Sequence, residues 1–208
     1  ETDDVSGAIE QFRILVASGT ASEDEKVQLA LLLSETGHSN EASKLLAPMA
    51  ASSQNPDLLN AYGVALADEG QVEDGIKQFE RAYDIDHNNA PALQNLGIVE
   101  LRKDDLQSAQ NYLERALELN PKLPLALNTM GVVYARIGDF THAVDFWQRA
   151  VNLDPHQYDA LLNIGIVEGR AGHKEEARRA LARFVDTAPK SHYANDIAAA
   201  RQALATLQ

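Results

Sequence analysis

Six histidines and a large excess of carboxylates are the residues of this chain whose types could ligate a metal, move protons or activate a nucleophile. The histidines are His38, His87, His142, His156, His173 and His192, and no two stand at the i,i+4 spacing that puts paired imidazoles on one helix face. Cysteine is absent, so disulfide and thiolate chemistry are excluded, and a Cys-free chain fits either the cytoplasm or a periplasm. No G-x-G-x-x-G, Walker loop, H-E-x-x-H or G-x-S-x-G occurs. The expectation is therefore of no catalytic residues, no metal and no cofactor. His38 and His173 fall where Asp105 and Asp139 stand in equivalent segments, which reads as a polar turn position. Asp104-Asp105 and Glu175-Glu176 lie in or just after turns, where carboxylates are solvated. Glu100 and Glu168 differ, because each takes the position that Tyr134 holds in the most regular segment. There a carboxylate either snorkels, pairs with an arginine of a neighbouring segment, or contacts a ligand.

The elements that must position these groups are clearest in Pro124 to Pro155, PLALNTMGVVYARIGDFTHAVDFWQRAVNLDP. Leu127, Met130, Val133 and Tyr134 recur at helical spacing, Ile137-Gly138-Asp139 form a turn, and Phe140, Ala143, Trp147, Ala150 and Val151 form a second stripe that Asp154-Pro155 ends. Neither helix has enough apolar neighbours within the segment to bury its stripe, so copies must stack beside it.

Those copies recur at a step of 34 residues. Gly131 has counterparts at Gly63, Gly97 and Gly165; Gly138 at Gly70, Asp104 and Gly172; Ala143 at Gly75, Ala109 and Ala177; Pro155 at His87, Pro121 and Pro189. A fixed period of this length marks a helical solenoid. Gly131 and Ala143 are small so that two antiparallel helices approach closely, and a larger side chain there costs about 1–3 kcal/mol of strain. Trp147, with Phe79, Leu113 and Leu181 at equivalent sites, is expected to fill the space between one hairpin and the next. The pattern Leu127, Met130-Gly131, Tyr134, Gly138, Ala143, Trp147, Ala150 and Pro155 resembles the tetratricopeptide repeat (TPR), and the resemblance extends over almost the whole chain. It implies an all-α fold, a right-handed superhelical solenoid of antiparallel helix pairs, of the kind found in bacterial arrays.

The 208 residues divide into 1–22, the second helix of a truncated repeat; 23–55, a degenerate repeat; regular repeats at 56–89, 90–123, 124–157 and 158–191; and a capping helix, 192–208. Ser22 followed by Glu25 predicts a capping box. Because the numbering opens within a repeat, the chain is expected to continue upstream, whereas Gln208 is read as lying at or near the natural C-terminus. Ile9, Phe12, Leu15 and Val16 lose a neighbour, which predicts an exposed apolar edge that self-associates or pairs with the upstream segment. In the last helix Tyr193, Ile197, Ala200, Leu204 and Leu207 share one face.

Net charge is −13, and residues 1 to 89 hold 17 acidic against 5 basic residues while the remainder is nearly balanced. Nucleic acid would be repelled by the first half. No stretch approaches the ~18 apolar residues of a membrane span, so no membrane insertion is expected and the chain reads as soluble.

The TPR resemblance implies that first helices line a concave face on which a protein or peptide partner lies. Carried onto this sequence, that face holds amides (Asn60, Gln94, Asn95, Asn128, Asn163), a branched aliphatic row (Val64, Ile98, Val132, Ile166) and, near the helix ends, Asp68, Arg102, Arg136 and Arg170. Amides both donate and accept, so a ladder of them could pair with a peptide backbone, or they could serve helix packing alone. Arginines fork onto carboxylates, pointing to a short apolar or acidic partner segment. TPR proteins that clamp the carboxylate tails of chaperones use lysines on these helices; Asn60, Val64 and Gln94 stand here instead, so tight binding of such tails is not expected. The functional expectation is a non-catalytic protein-interaction module with an extended peptide in the groove. The alternative is the C-terminal tail of a larger bacterial enzyme, such as a sulfatase or glycosyltransferase.

Overall fold

Short polar caps and positive-φ turns cut the chain into its helices. The computed structural model describes residues 2–207, with side chains from Val5 onward; Gln208, read above as the natural terminus, lies outside the described residues. Among the described residues there are twelve helices and no strand: α1 (Thr2–Ser18), α2 (Glu23–Glu35), α3 (Ser39–Ala50), α4 (Pro56–Asp68), α5 (Val72–Ile85), α6 (Ala90–Arg102), α7 (Leu106–Leu119), α8 (Pro124–Ile137), α9 (Phe140–Leu153), α10 (Tyr158–Ala171), α11 (Lys174–Thr187) and α12 (Lys190–Thr206). The last of these begins two residues before the expected His192 and contains a non-helical step at Tyr193 (φ −112°, ψ 23°).

The ends are fixed by side chains that satisfy first-turn amides. Ser22 Oγ accepts from the Glu25 N–H at 3.2 Å while the Ser22 N–H donates to the Glu25 carboxylate at 2.7 Å, the expected capping box. Asn55 Oδ1 caps α4 by accepting from the Asp57 and Leu58 amides, with Pro56 preset at the first helical position. Asp105 and Asp139 cap α7 and α9, whereas His38 and His173 make no such bond at the equivalent places. In the turns, Gly37, Gly70, Gly138 and Gly172 have positive φ, and at the matching position Asp104 is held at φ 65°. That is the left-handed region which glycine enters without a Cβ penalty.

The helices form two compact units, Glu1–Val99 and Glu100–Gln208. Within each, antiparallel pairs pack tightly, α2 with α3 and α4 with α5 in the first, α8 with α9 and α10 with α11 in the second, and successive pairs stack. This is the solenoid arrangement expected from the period. The first unit buries Leu29, Leu33, Leu46, Leu58 and Leu59 in one apolar strip. Polar stitches at a near-constant step reinforce it: Asn55 Nδ2 donates to Glu23 at 2.8 Å and Asn89 Nδ2 to Asp57 at 2.8 Å. In the second unit Leu113, Met130 and Val133 form one cluster and Trp147, Val151, Leu161, Leu181 and Phe184 another.

Two packing expectations need correction. Ile9 is buried, and Phe12 and Val16 are partly buried against the first core, because α1 packs on α2; the aliphatic left in water is Ile14, 59% exposed. The large residues of the second helices also sit within their own hairpins rather than only between hairpins. Phe79, Trp147 and Leu181 lie directly over Gly63, Gly131 and Gly165, and a Cβ on Gly63 would come within 2.6 Å of the Phe79 ring. Trp147 Nε1 also donates to the Asn128 carbonyl at 3.1 Å, so the ring is pinned from both sides of that glycine. No helix among the described residues is long and apolar enough to cross a membrane.

Candidate functional site

In the first unit, α4 and α6 place Asn60 and Asn95 side by side, and one hydrogen bond joins the two amides. Asn95 Nδ2 donates to Asn60 Oδ1 at 2.9 Å, and Asn60 is only 7% exposed. The pair is thus a packing device in its first role, with Gln94, Val64 and Ile98 half-buried around it. Asp68 is exposed and accepts from Ser39 Oγ at 3.3 Å.

The second unit differs. Asn128 on α8 and Asn163 on α10 are related by the same 35-residue separation as Asn60 and Asn95, but no hydrogen bond joins them. Asn128 Oδ1 is buried without a hydrogen-bond partner among the described residues. Val132 is partly buried against both apolar clusters, while Ile166 is 40% exposed. The arginines divide similarly. Arg136 donates to the Leu101 carbonyl at 3.1 Å and to Asp104 at 2.9 Å, closing the turn whose Asp104 backbone is left-handed. Arg102 and Arg170 are exposed, and Arg170 makes no ion pair among the described residues.

Glu100 and Glu168 are paired locally instead of with a neighbouring arginine. Lys103 Nζ donates to Glu100 at 3.0 Å, and His173 Nδ1 lies 2.5 Å from Glu168. Each partner comes from the turn after the helix, so these carboxylates are tied locally at the helix ends. Histidines elsewhere behave alike: His142 pairs with Asp139 at 2.6 Å and stacks on Tyr134. The backbone amide and the ring of His142 hold the Asp139 carboxyl below its ordinary value. Among the described residues no three His, Asp or Glu side chains are grouped to hold a metal ion.

Bordered by Ile166 and Arg170 of α10 lies a cavity of about 410 Å³ between α10 and α12. Leu162, Ile166 and Gly169 face Ala199, Ala203 and Leu207, with Arg170 and Asp196 the charged residues of its lining. The α12 wall is held by Tyr193, whose ring meets Phe184 at 5.6 Å and Tyr158 at 5.7 Å, both edge-on. Burial, then the Asp159 carboxylate that its hydroxyl meets, pushes the Tyr193 phenol up to about 12. Ile166 and Arg170 of this site were legible in the sequence. Of the α12 residues, Ala200 and Leu207 belong to the apolar face read with Tyr193, Ile197 and Leu204, whereas Asp196, Ala199 and Ala203 were not legible, since which residues of a cap face the preceding helix depends on how that helix docks.

Three stretches match models of the tetratricopeptide repeat: residues 55–122, 124–157 and 159–191. No curated protein matches the sequence. Solved structures share the fold. MamA is 23% identical, with 74% of this chain and 91% of that one aligned at a TM-score of 0.58. PilF of Pseudomonas aeruginosa is 18% identical over 88% and 87% of the two chains at 0.68. The APC/C hetero-tetramer Cut9–Hcn1 is 19% identical over 97% of this chain, which spans 40% of that one, at 0.75.

Proposed function

The chain belongs to the tetratricopeptide repeat family and is a protein–protein interaction module, and on that premise we propose that it holds an extended segment of a partner protein against the first helices of its repeats. The observation that carries this reading is the contrast between the units. Where Asn95 donates to Asn60 in the first unit, on α10 Ile166 is 40% exposed and Asn163 and Arg170 make no side-chain hydrogen bond or ion pair among the described residues, where Asn128 Oδ1 is likewise without a partner. Amides left free suit a peptide backbone, an exposed aliphatic suits an apolar side chain, and a free guanidinium suits a carboxylate. Asn128, Val132 and Arg136 on α8 form the adjoining row, in which Arg136 is already engaged by Asp104. In the first unit Val64, Gln94 and Ile98 border the amide pair and make the lesser contribution; Arg102 supplies a further cation at the end of α6.

The partner is a protein or peptide. The acidic first half disfavours nucleic acid, because a polyanion gains from neutralising bases and here meets 17 acids. The test is affinity capture from a cell extract with wild type, Asn163→Ala/Ile166→Ala and Asn60→Ala, each checked for thermal stability. Loss of a captured protein in the α10 variant, with retention in Asn60→Ala, supports the reading. Equal capture by all three overturns it.

A further inference from the structure

We infer that the cavity between α10 and α12 is the anchor pocket of this peptide site, taking one bulky apolar side chain from a segment that carries a carboxylate close by for Arg170. The inference rests on the peptide-binding reading and adds the chemistry of the bound segment. The cavity, about 410 Å³, falls within the ~300–1,000 Å³ range of clefts that enclose a small ligand. Its walls are aliphatic, and Ile166 stays 40% exposed at it, an apolar surface that a partner side chain would cover.

Gly169 is the second observation. It lies inside α10, where glycine is the least favourable residue after proline. No turn requires it, since its φ is not positive, and no packing requires it, since a Cβ there would meet only the Ala177 Cβ at an ordinary 3.7 Å. Ala67, Leu101 and Ala135 stand at the same step in the other repeats. At this step of the repeat glycine is thus used only where the helix borders the cavity.

Charge selects the occupant. Arg170 is exposed and has no ion pair among the described residues, and it does not pair with Asp196 of the same lining. A guanidinium in this state donates two parallel hydrogen bonds to a carboxylate, while Asp196 repels a second one and so sets the direction of the segment.

The test is an array of acetylated octapeptides on an alanine-serine background. Each carries Leu, Phe or Ser at one position and Asp, Asn or Lys two residues later. It is probed with wild type, Ala199→Trp, Arg170→Glu and Asn163→Ala, with melting curves to establish that each variant is folded. Wild type is expected to retain the Leu-Asp and Phe-Asp peptides at least tenfold better than their Asn counterparts. Arg170→Glu should shift that preference to Lys, and Ala199→Trp, which fills the cavity from an exposed position, should retain none. Retention by Ala199→Trp with loss in Asn163→Ala would overturn the pocket and leave the wider peptide reading standing. Retention indifferent to Asp would overturn the role of Arg170, and capture of no peptide by wild type would end both readings. Sedimentation of wild type as a dimer that Ala199→Trp dissociates would give the cavity to a second copy and overturn the proposal.

Discussion

Asn95 donates its side-chain N–H to Asn60 at 2.9 Å, and the residues in the same relation one pair of repeats later, Asn163 and Asn128, make no such bond. A buried carbonyl that loses its donor carries its full desolvation cost, whereas one already unpaired loses nothing when removed. Asn95→Ala is therefore expected to destabilise the chain by about 1–3 kcal/mol. Asn128→Ala should cost distinctly less. Urea denaturation of the two variants side by side checks this; equal losses would mean that the amides do the same work in both units.

Glycines that look alike in sequence should respond in opposite senses. A methyl group on Gly131 would run into the Trp147 indole, which is fixed by its bond to the Asn128 carbonyl and cannot swing away. Gly131→Ala is expected to cost about 1–3 kcal/mol through overpacking. Gly169→Ala meets only an ordinary contact, and its better helix propensity should leave stability unchanged or raise it by up to ~1 kcal/mol. Thermal melts of both variants decide the matter.

The period made the helix pairs and turn glycines legible, because each repeat must solve the same close-approach and reversal problems with small and positive-φ residues. Partner choice within a repeat was harder to read. That Trp147 covers its own Gly131, that Glu168 turns back to His173, and that Ile9 is covered by α1 docking on α2 all depend on rotamers and docking angles, which spacing does not encode. The amides show the limit most sharply. Asn60, Asn95, Asn128 and Asn163 form a row in the sequence, yet one pair satisfies itself and the other does not.

Asp104 stands where the other turns have glycine, and it pays for a side chain at φ 65°. Its compensation is the bond from Arg136, but that pair is solvent-exposed on both sides and such pairs contribute about 0–1 kcal/mol. Asp104→Gly is expected to be neutral or stabilising by less than ~1 kcal/mol, and Asp104→Val, with a branched Cβ in the left-handed region, to be clearly destabilising. Melting temperatures in low and high salt separate the terms, since high salt weakens only the ion pair.

Tyr193 gives the fold an alkaline limit. Its phenol, raised to about 12 by burial and by Asp159, stays neutral in the folded chain at pH values where an unfolded tyrosine, near 10, has ionised. The unfolded state then binds fewer protons than the folded one, so stability falls as pH rises. The contribution of this group is intact below pH ~10 and is lost progressively between there and about 12. Because the ring sits at the non-helical step of α12 against Phe184 and Tyr158, ionisation should release α12 first and open the α10–α12 cavity with it. Tyr193→Phe keeps the ring and removes the titration, so its urea midpoint should decline less than that of wild type between pH 9 and 11. Parallel declines would show that Tyr193 does not govern how this helix is held.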